Sequence, residues 1–210
     1  MPKRATPRIF SRKQPRQARS EGLVAAILQA AVRVLAEEGA QRFTTARVAE
    51  RAGVSVGSLY QYFPNKASIL YRLQSDEWRQ TTEQWRTILR DQARPPDDRL
   101  RHLVQAFLHS EVEEAEVRLA LADAAPLYRD AAEAKEIHAE GGRIIEAFMA
   151  EALPGVQETA RQRAGDLIVM TMTAVGKELT ETPRESSEID AYADAMSDMF
   201  TTYLNSLRRV

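Results

Sequence analysis

Polar side chains able to bind nucleic acid are concentrated between positions 45 and 66, where hydroxyl, phenol, amide and ammonium groups follow one another. Groups of these kinds donate hydrogen bonds to phosphate oxygens and contact base edges in the grooves of duplex DNA. Lys66 is the most informative, because it stands in the first turn of a predicted helix, where the helix dipole disfavours a cation by roughly 0.3–1 kcal/mol. A phosphate bound there would reverse the sign of that interaction, whereas a solvated lysine is the simpler alternative.

Two short helices joined by a tight turn must position these side chains. The first is predicted over residues 45–52, capped by Thr44 or the residue after it, and ends at Gly53. The second is capped by Ser55 and runs to about Tyr62. Two helices joined by a turn that contains glycine are the ingredients of a helix-turn-helix, whose second helix enters the major groove.

The second helix is predicted to have an inner and an outer face. Leu59 and Phe63, four residues apart, share the face that points to the core, with Val56 or Tyr62 at its margin. The small residues Gly57 and Ser58 would let the helix backbone approach base pairs, and Tyr60 would contact a thymine methyl group or a phosphate. An exposed aromatic without a role is the alternative for Tyr60. The outward residues are Gly57, Ser58, Tyr60 and Gln61.

Charge is distributed unevenly along the chain. Residues 1–19 contain seven of the 29 basic residues and no acid, so the rest of the chain holds 22 basic and 30 acidic residues, a net charge of −8. A cationic arm on an acidic body is typical of a protein that binds a polyanion at one end. The alternative is a disordered tail that only improves solubility.

Several classes of protein are disfavoured by what the sequence lacks. Without cysteines there is no disulfide framework, thiolate metal site or cysteine nucleophile, which fits a reducing cytosol, so we expect a cytoplasmic location. The first 20 residues lack the apolar run of a secretory signal, and no segment reaches the roughly 18 consecutive apolar residues of a membrane span. No nucleophile elbow, phosphate-binding loop or metalloprotease motif occurs, and the three histidines are scattered. We therefore expect neither an enzyme nor a cofactor or metal site.

The whole chain is predicted to be helical, since the alternating apolar pattern of strands is missing. Helix 156–181 has small residues among large apolar ones, and helix 187–208 keeps its apolar spacing over its full length. Two such helices can form half of a four-helix bundle with a symmetry mate, or simply pack on their own subunit. The other predicted helices cover residues 20–38, 66–91, 97–113, 114–124 and 130–152.

A ligand pocket would lie among the helices of residues 66–152 and would be lined by aromatic side chains with a few polar groups. A place in the ordinary hydrophobic core is the alternative for each candidate. The candidates are Trp78, Trp85, Phe107, His109, Tyr128, His138, Phe148 and, on the following helix, Met170.

The stretch FTTARVAERAGVSVGSLYQYFPNKASIL, residues 43–70, resembles the DNA-binding segment of the TetR/AcrR transcriptional regulators. The resemblance is specific over residues 20–70, and the remaining 140 residues are similar to the family in helix number and order. The matching residues are Phe43, Thr44-Thr45, Val48-Ala49, Ala52-Gly53-Val54-Ser55, Gly57, Leu59-Tyr60-Gln61-Tyr62-Phe63 and Asn65-Lys66.

The resemblance implies an all-α homodimer in which an N-terminal three-helix helix-turn-helix domain is followed by a larger helical ligand-binding and dimerisation domain. We therefore assign residues 1–19 to a basic flexible arm, 20–65 to the DNA-binding domain and 66–210 to the second domain. Helices 156–181 and 187–208 would form the dimer. Members of the family usually repress transcription from a palindromic operator in double-stranded DNA and are released by a small-molecule effector. The arm would follow the DNA backbone or enter the minor groove.

Motif positions in the family also imply roles for individual residues. Val56 stands where some members carry a polar or basic base reader, so its readout would be limited to apolar contact with a thymine. Phosphate contacts are implied for Thr45, Ser55, Tyr62 and Lys66, and positions nearest the bases for Val56, Gly57, Ser58 and Tyr60, with Gln61 also facing outward.

The helix that begins near Lys66 would link the expected pocket to the DNA-binding domain. Ligand binding would swing this helix and change the separation of the two recognition helices, which must be about 34–36 Å to reach successive major grooves. Two other functions stay open. One is a transcriptional activator of the same family, and the other is a helical adaptor whose helix-turn-helix contacts protein in place of DNA.

Overall fold

A computed structural model describes residues 18–115, 117–118, 121, 132–182 and 184–209 of the chain. All regular secondary structure within these residues is helical, with no strand, which confirms the all-α prediction. None of the described helices combines the length and the apolarity needed to cross a bilayer. The described helices are α1 (Ala18–Arg42), α2 (Thr45–Arg51), α3 (Val56–Tyr62), α4 (Lys66–Leu89), α5 (Pro96–Glu113), α6 (Ala132–Ala152), α7 (Glu158–Thr180) and α8 (Ser186–Arg208).

Three sequence predictions fall largely or wholly outside the described residues. They are the basic arm 1–19, of which only the last two residues belong to α1, the helix predicted over 114–124, and the ligand candidate Tyr128. For the other helices, the observed ends lie within a few residues of the predicted ones.

Two glycines give the N-terminal helices their turns. Gly39 has φ +72° and kinks α1 three residues before its end, and Gly53 has φ +68° between α2 and α3. Both values lie in the left-handed region, which glycine adopts without the steric clash of a Cβ atom. At Gly53 the chain reverses, and the amide of Val54 donates a hydrogen bond to the carbonyl oxygen of Ala49 at 3.0 Å. The turn that the sequence predicts is therefore present.

Short polar side chains begin the helices of this region. The hydroxyl of Thr44 accepts a hydrogen bond from the amide of Arg47 at 3.2 Å, so Thr44 caps α2 and leaves the hydroxyl of the next residue free for another partner. Ser55 caps α3 in the same way, accepting from the amide of Ser58 at 3.0 Å. Such caps satisfy amide groups that the first turn of a helix leaves without partners.

The first of two compact units contains residues 1–79 and 116–135. In its described part, α1, α2, α3 and the beginning of α4 share one hydrophobic core, in which Phe43 and Phe63 are almost completely buried. Leu70, in the second turn of α4, belongs to the same core. The compact units therefore divide within α4, between residues 79 and 80, and the functional domain boundary after residue 65 stays a prediction.

The second unit contains residues 80–115 and 136–210. Within it, α5 packs against both α7 and α8. These helices, the end of α4 and α6 bury one set of leucine, isoleucine, methionine and phenylalanine side chains. A Cβ atom added to Gly165 of α7 would lie 2.8 Å from Cγ2 of Ile145, so α6 and α7 approach each other closely there.

A buried arginine ties three helices of the second unit together. Arg99 on α5 is 1% exposed, and its Nη1 donates to the carbonyl oxygen of Leu89 at 2.5 Å and to Oε2 of Glu151 at 3.2 Å. Its Nη2 donates to the other oxygen of Glu151, and its guanidinium lies 5.5 Å from the centre of the Phe148 ring. These hydrogen bonds, and the opposite charge, hold the pKa of the Glu151 carboxyl below its ordinary value of 4.5.

Candidate nucleic-acid interface

The outer face of α3 is the centre of the candidate interface. Leu59 and Phe63 are 0% and 1% exposed, which confirms their predicted inward direction. Val56 and Tyr60 are 41% and 39% exposed, and both are large hydrophobic side chains on a helix of only seven residues. Because α3 is anchored on one side by its core residues, its other side presents a fixed surface. Gly57 and Gln61 are also exposed on α3, and Ser58 is half-buried.

A small residue keeps this surface open at Gly57. Apart from its chain neighbours and the nearby backbone of α3, the only described atom within 4 Å of a Cβ built on Gly57 is Oγ of Ser55, at 3.8 Å. The positive-φ glycines of the described chain are Gly39 and Gly53, so Gly57 does not need its conformational freedom. Packing and backbone geometry within the described residues therefore do not require glycine at position 57.

Two hydroxyl groups for which the sequence predicts separate contacts with DNA are bonded to each other. Oγ1 of Thr45, at the start of α2, lies 3.1 Å from the hydroxyl of Tyr60 on α3. The two residues are 15 positions apart, and the bond is exposed at the protein surface. The sequence carries no signal for this pairing, because helical periodicity relates residues within one helix and not across two.

A second hydroxyl pair stands at the start of α3. Oγ of Ser55 lies 2.8 Å from Oγ of Ser58 and also accepts the capping bond from the Ser58 amide. A hydroxyl supplies one donor and two acceptor positions, so the pair still has one hydroxyl hydrogen that can be offered outside. Both implied roles of Ser55, as a cap and as a phosphate contact, are sterically compatible.

Tyr62 differs from the other residues of this set. It is 7% exposed and belongs to the hydrophobic core, together with Leu59 and Phe63. The reason is helical geometry, since position 62 lies three residues after Leu59 and therefore on nearly the same face of α3. Its ring thus supports the position of α3, and the phosphate contact expected of Tyr62 stays a prediction.

The cations around the interface fall into two groups. Arg47 and Arg51 on α2 form ion pairs with Glu38 and Glu37 at the end of α1. Lys66 is exposed in the first turn of α4 and forms no ion pair within the described part of the chain. Lys66 is therefore available to an external anion, which its position near the positive end of the helix dipole favours.

The predicted ligand-binding residues do not form one group. Trp85 and Phe107 contact each other edge to face, with ring centres 6.1 Å apart and planes at 68°. The indole nitrogen of Trp85 is buried and has no hydrogen-bond partner among the described residues. A buried N–H without an acceptor is energetically costly, so this side chain is a good candidate for contact with a polar ligand group.

Other candidates lie in different surroundings. Trp78 packs against the core of the first unit, and Phe148 lies beneath the guanidinium of Arg99 in the core of the second. Nε2 of His109 lies 2.8 Å from Oδ1 of Asp190, in the contact between α5 and α8. His138 is exposed, and Met170 is 62% exposed, so both of these side chains face the surface of the described chain and do not line an interior pocket. Helical periodicity marks apolar faces but does not say which neighbour covers each face.

Two further observations concern possible binding sites in the described residues. A shallow depression of about 350 Å³ on the second unit contains none of the predicted ligand residues. No three histidine, aspartate or glutamate side chains in the described ranges come together as they would around a metal ion. The depression is lined by Arg94, Asp98, Arg101, His102 and Gln105.

Exposed apolar side chains are found on both of the last helices. Leu167 and Met170 on α7 are 44% and 62% exposed, and Tyr192 and Met199 on α8 are 43% and 52% exposed. Their spacings of three and seven residues put each pair on one side of its helix. Large apolar side chains that are exposed together on neighbouring elements are characteristic of surfaces that bind a protein partner.

Comparison with known proteins gives two matches to family models. The model for bacterial regulatory proteins of the tetR family matches residues 27–73, which include α2 and α3. The model for the tetracyclin repressor-like C-terminal domain matches residues 95–207, more than half of the chain. The two matches together cover the candidate interface and most of the second unit.

Solved structures with similar folds are regulators as well. The fatty acid degradation regulator FadR from Bacillus halodurans has a TM-score of 0.69 and 20% identity, over 93% of this chain and 98% of that one. A putative TetR-family regulator from Mesorhizobium loti has a TM-score of 0.72 and 17% identity, over 89% and 98%. FadR from Bacillus subtilis, solved in complex with stearoyl-CoA, has a TM-score of 0.65 and 18% identity, over 84% and 96%. At these identities the similarity shows the fold alone.

A curated relative is closer in sequence but over a shorter stretch. The fatty acid metabolism regulator protein of Bacillus subtilis (strain 168) is 36% identical over 67 residues, or 32% of this chain. The match spans about a third (34%) of the length of that relative. Because both family models match at the positions that build the candidate interface and the second unit, the chain belongs to the TetR family of bacterial transcriptional regulators.

Proposed function

We propose that this regulator binds a palindromic DNA operator as a homodimer, represses transcription there, and leaves the operator when a small molecule binds its second unit. The observation that carries the proposal is the outer face of α3, where Val56 and Tyr60 are exposed beside the open position of Gly57. A short helix of this kind, held by buried Leu59 and Phe63, fits the recognition helix of a helix-turn-helix.

Contacts with the DNA backbone would come from groups around this face. Lys66 supplies a cation without an ion pair in the described chain, and Thr45 and Ser55 supply hydroxyl groups at the starts of α2 and α3. Such contacts set the register of the protein on the duplex, while side chains on the recognition helix read base edges. Val56 and Tyr60 offer apolar surface, which favours contact with thymine methyl groups.

The dimer would form through α7 and α8. The exposed apolar residues Leu167, Met170, Tyr192 and Met199 would be covered by the same residues of a second copy, giving a four-helix bundle. Dimerisation matters for function because one short helix reads few base pairs, whereas two recognition helices about 34–36 Å apart read two half-sites. We expect sedimentation of the purified protein as a dimer, and Met170→Glu to shift it towards monomer.

A small-molecule effector is supported by Trp85, whose buried indole N–H has no acceptor among the described residues and whose ring contacts Phe107. Because a similar fold was solved with stearoyl-CoA, that compound is the first ligand to test, with coenzyme A alone and stearate as comparisons. Ligand binding in the second unit would reach the DNA through α4, which begins at Lys66 in the first unit and ends at Leu89 in the second. An effector acts only by the difference between its affinities for the DNA-bound and free conformations.

The test begins with selection of duplexes from a random pool by the purified protein. Binding of the selected duplex, followed by fluorescence anisotropy over a range of salt concentrations, should give log–log plots with a slope of about −0.9 per phosphate neutralised. Lys66→Gln should flatten that slope by about two in a dimer, because each subunit loses one phosphate contact. Arg143→Gln, an exposed cation on α6, is the matched control and should leave the slope unchanged.

Three outcomes separate this proposal from its alternatives. A protein that enriches no duplex would support the protein-binding adaptor and contradict the proposal. Operator binding combined with increased transcription in a purified transcription system would identify an activator. Operator binding that represses transcription, and is weakened by a ligand that no longer acts on a Trp85→Phe variant, is the result that we expect.

A further inference from the structure

The bond between Thr45 and Tyr60 changes how the two side chains present themselves to DNA. Oγ1 of Thr45 and the Tyr60 hydroxyl are 3.1 Å apart, which is within the range of a hydrogen bond. Each hydroxyl has one hydrogen, so one of them donates to the other, and one hydroxyl hydrogen remains between them for an outside acceptor. The pair therefore supplies one hydroxyl donor to a phosphate, and not the two that independent residues would supply.

The direction of this bond follows from acidity. A phenol, with a pKa of about 10, is a stronger hydrogen-bond donor than an aliphatic hydroxyl. The Tyr60 hydroxyl is therefore the better donor to Thr45, and the hydrogen of Thr45 is left for DNA. Hydrogen bonds in such chains polarise one another, so donation by Tyr60 strengthens the donor at Thr45.

The bond also limits the motion of an exposed side chain. Tyr60 is 39% exposed, and a tyrosine at the surface of a helix ordinarily samples several rotamers. Immobilising such a side chain when a partner binds is unfavourable, so a side chain that is already held in place binds more tightly. Thr45 is not needed as a helix cap, because α2 is capped by Thr44.

We propose that Thr45 is a positioning residue for Tyr60, and that the two side chains form a single DNA-contacting unit assembled before DNA arrives. In this unit the Thr45 hydroxyl donates to a phosphate, and the Tyr60 ring lies in a fixed direction beside the exposed Val56. The inference rests on the proposed function, since it assigns roles within the same DNA-binding surface.

A double-mutant cycle tests the inference. Thr45→Val keeps the branched shape and removes the hydroxyl, and Tyr60→Phe keeps the ring and removes its hydroxyl. Each single change should lower affinity for the selected duplex about three- to tenfold per subunit, or about 10- to 100-fold for the dimer, the effect of losing one hydrogen bond in each half-site. The double variant should bind about as well as either single variant, because both changes break the same unit.

Independent phosphate contacts predict a different result. In that case the two losses multiply, and the double variant binds about 10- to 100-fold more weakly per subunit than the wild type, which would overturn the inference. Thr45→Ser, which keeps the hydroxyl, should bind like the wild type. Since both residues are at the surface, the thermal unfolding of all these variants should match that of the wild type, and a merely structural role would instead lower it.

A control cycle distinguishes failure of the inference from failure of the proposed function. Tyr60→Phe combined with Lys66→Gln should give losses that multiply, because Lys66 belongs to another helix and is not bonded to Tyr60. Multiplicative losses in both cycles refute the single unit but leave operator binding intact. Absence of selective, salt-dependent binding by the wild type refutes the proposed function itself.

Discussion

Replacing Gly57 by alanine should separate the stability of α3 from its fit to DNA. Gly57 is the second residue of α3, and its φ is not positive, so alanine is compatible with the backbone. Among the described residues, the new methyl group would meet only Oγ of Ser55, at 3.8 Å, which is an ordinary contact. The protein therefore has no steric reason to require glycine at this position.

The expected change in stability follows from helix propensity. Alanine is favoured over glycine by about 1 kcal/mol in a helix interior. The difference is smaller in the first turn of a helix, where Gly57 lies. We expect a gain of about 0.5 kcal/mol in the free energy of unfolding, or about 1–2 °C in Tm. On DNA the sign reverses, since an extra methyl group forced into a closely packed contact costs about 1–3 kcal/mol. That cost lowers the affinity by about 5- to 150-fold for each subunit of the dimer.

The assay needs two measurements on the same preparation. Urea unfolding followed by circular dichroism gives the stability, and anisotropy with the selected duplex gives the affinity. Gly142→Ala on α6 is the matched control, because Gly142 is exposed and no described atom lies within 4 Å of the position of its added Cβ. It should stabilise the protein by up to about 1 kcal/mol and leave DNA binding unchanged.

Two results would refute the reasoning about Gly57. If Gly57→Ala binds the duplex as tightly as the wild type, then the backbone of α3 does not approach DNA closely at this position. If the variant is markedly less stable than the wild type, the added methyl group must clash with atoms of the protein itself. Weaker DNA binding could then result from a distorted α3 and would not show a close approach of α3 to the major groove.

The remaining predictions concern the second unit. Glu151→Gln should destabilise the protein at pH 7 by about 1–2 kcal/mol, because the buried Arg99 loses its charged partner. The loss is smaller than for a fully buried ion pair, since the Glu151 side chain is 47% exposed. Because folding lowers the pKa of Glu151, its carboxylate contributes fully to the free energy of unfolding above the ordinary pKa of about 4.5. This contribution is lost as the pH falls through the lowered pKa of the folded state. Urea unfolding at pH 3 should therefore show a smaller difference in stability between the wild type and Glu151→Gln. Gly165→Ala should destabilise by up to about 2 kcal/mol, since a Cβ 2.8 Å from Cγ2 of Ile145 overpacks the core by more than helix propensity returns.

Each of these predictions has a contradicting outcome. An equal loss of stability for Glu151→Gln at pH 7 and pH 3 would mean that the charge of the carboxylate is not what matters to Arg99. A Gly165→Ala variant that gains as much stability as Gly142→Ala would mean that α6 and α7 separate at little cost. In both cases the binding of DNA serves as the check that the first unit is still folded.

Local patterns predicted the elements of the candidate interface well. The positive-φ turn at Gly53, the cap at Ser55 and the inward direction of Leu59 and Phe63 depend on residues within a few positions of one another. Interactions over such short separations are carried by backbone geometry and helical periodicity, which can be read from a single sequence. The same holds for Lys66, whose unfavourable place in the first turn of α4 is a property of that helix alone.

Contacts between helices were not predictable in the same way. The sequence predicts a pocket lined by aromatic side chains with a few polar groups, yet among its candidates Trp85 contacts Phe107 while Met170 is exposed. The neighbour that covers each apolar face depends on the packing of several helices at once, and several crossing geometries are available to a pair of helices. Arg99 is a similar case, since its burial requires acceptors supplied by two other helices.

The sequence by itself determined that the chain is helical, that a glycine turn separates two short helices, and that the second of them has a small, phenolic outer face. Tertiary structure alone decided that Thr45 is bonded to the Tyr60 hydroxyl and that Arg47 is paired with Glu38. The physical reason is that a helix is specified by bonds between near neighbours in the chain. The partners of an exposed hydroxyl or charge are chosen by how separate helices pack, and one sequence does not encode that packing in any local pattern.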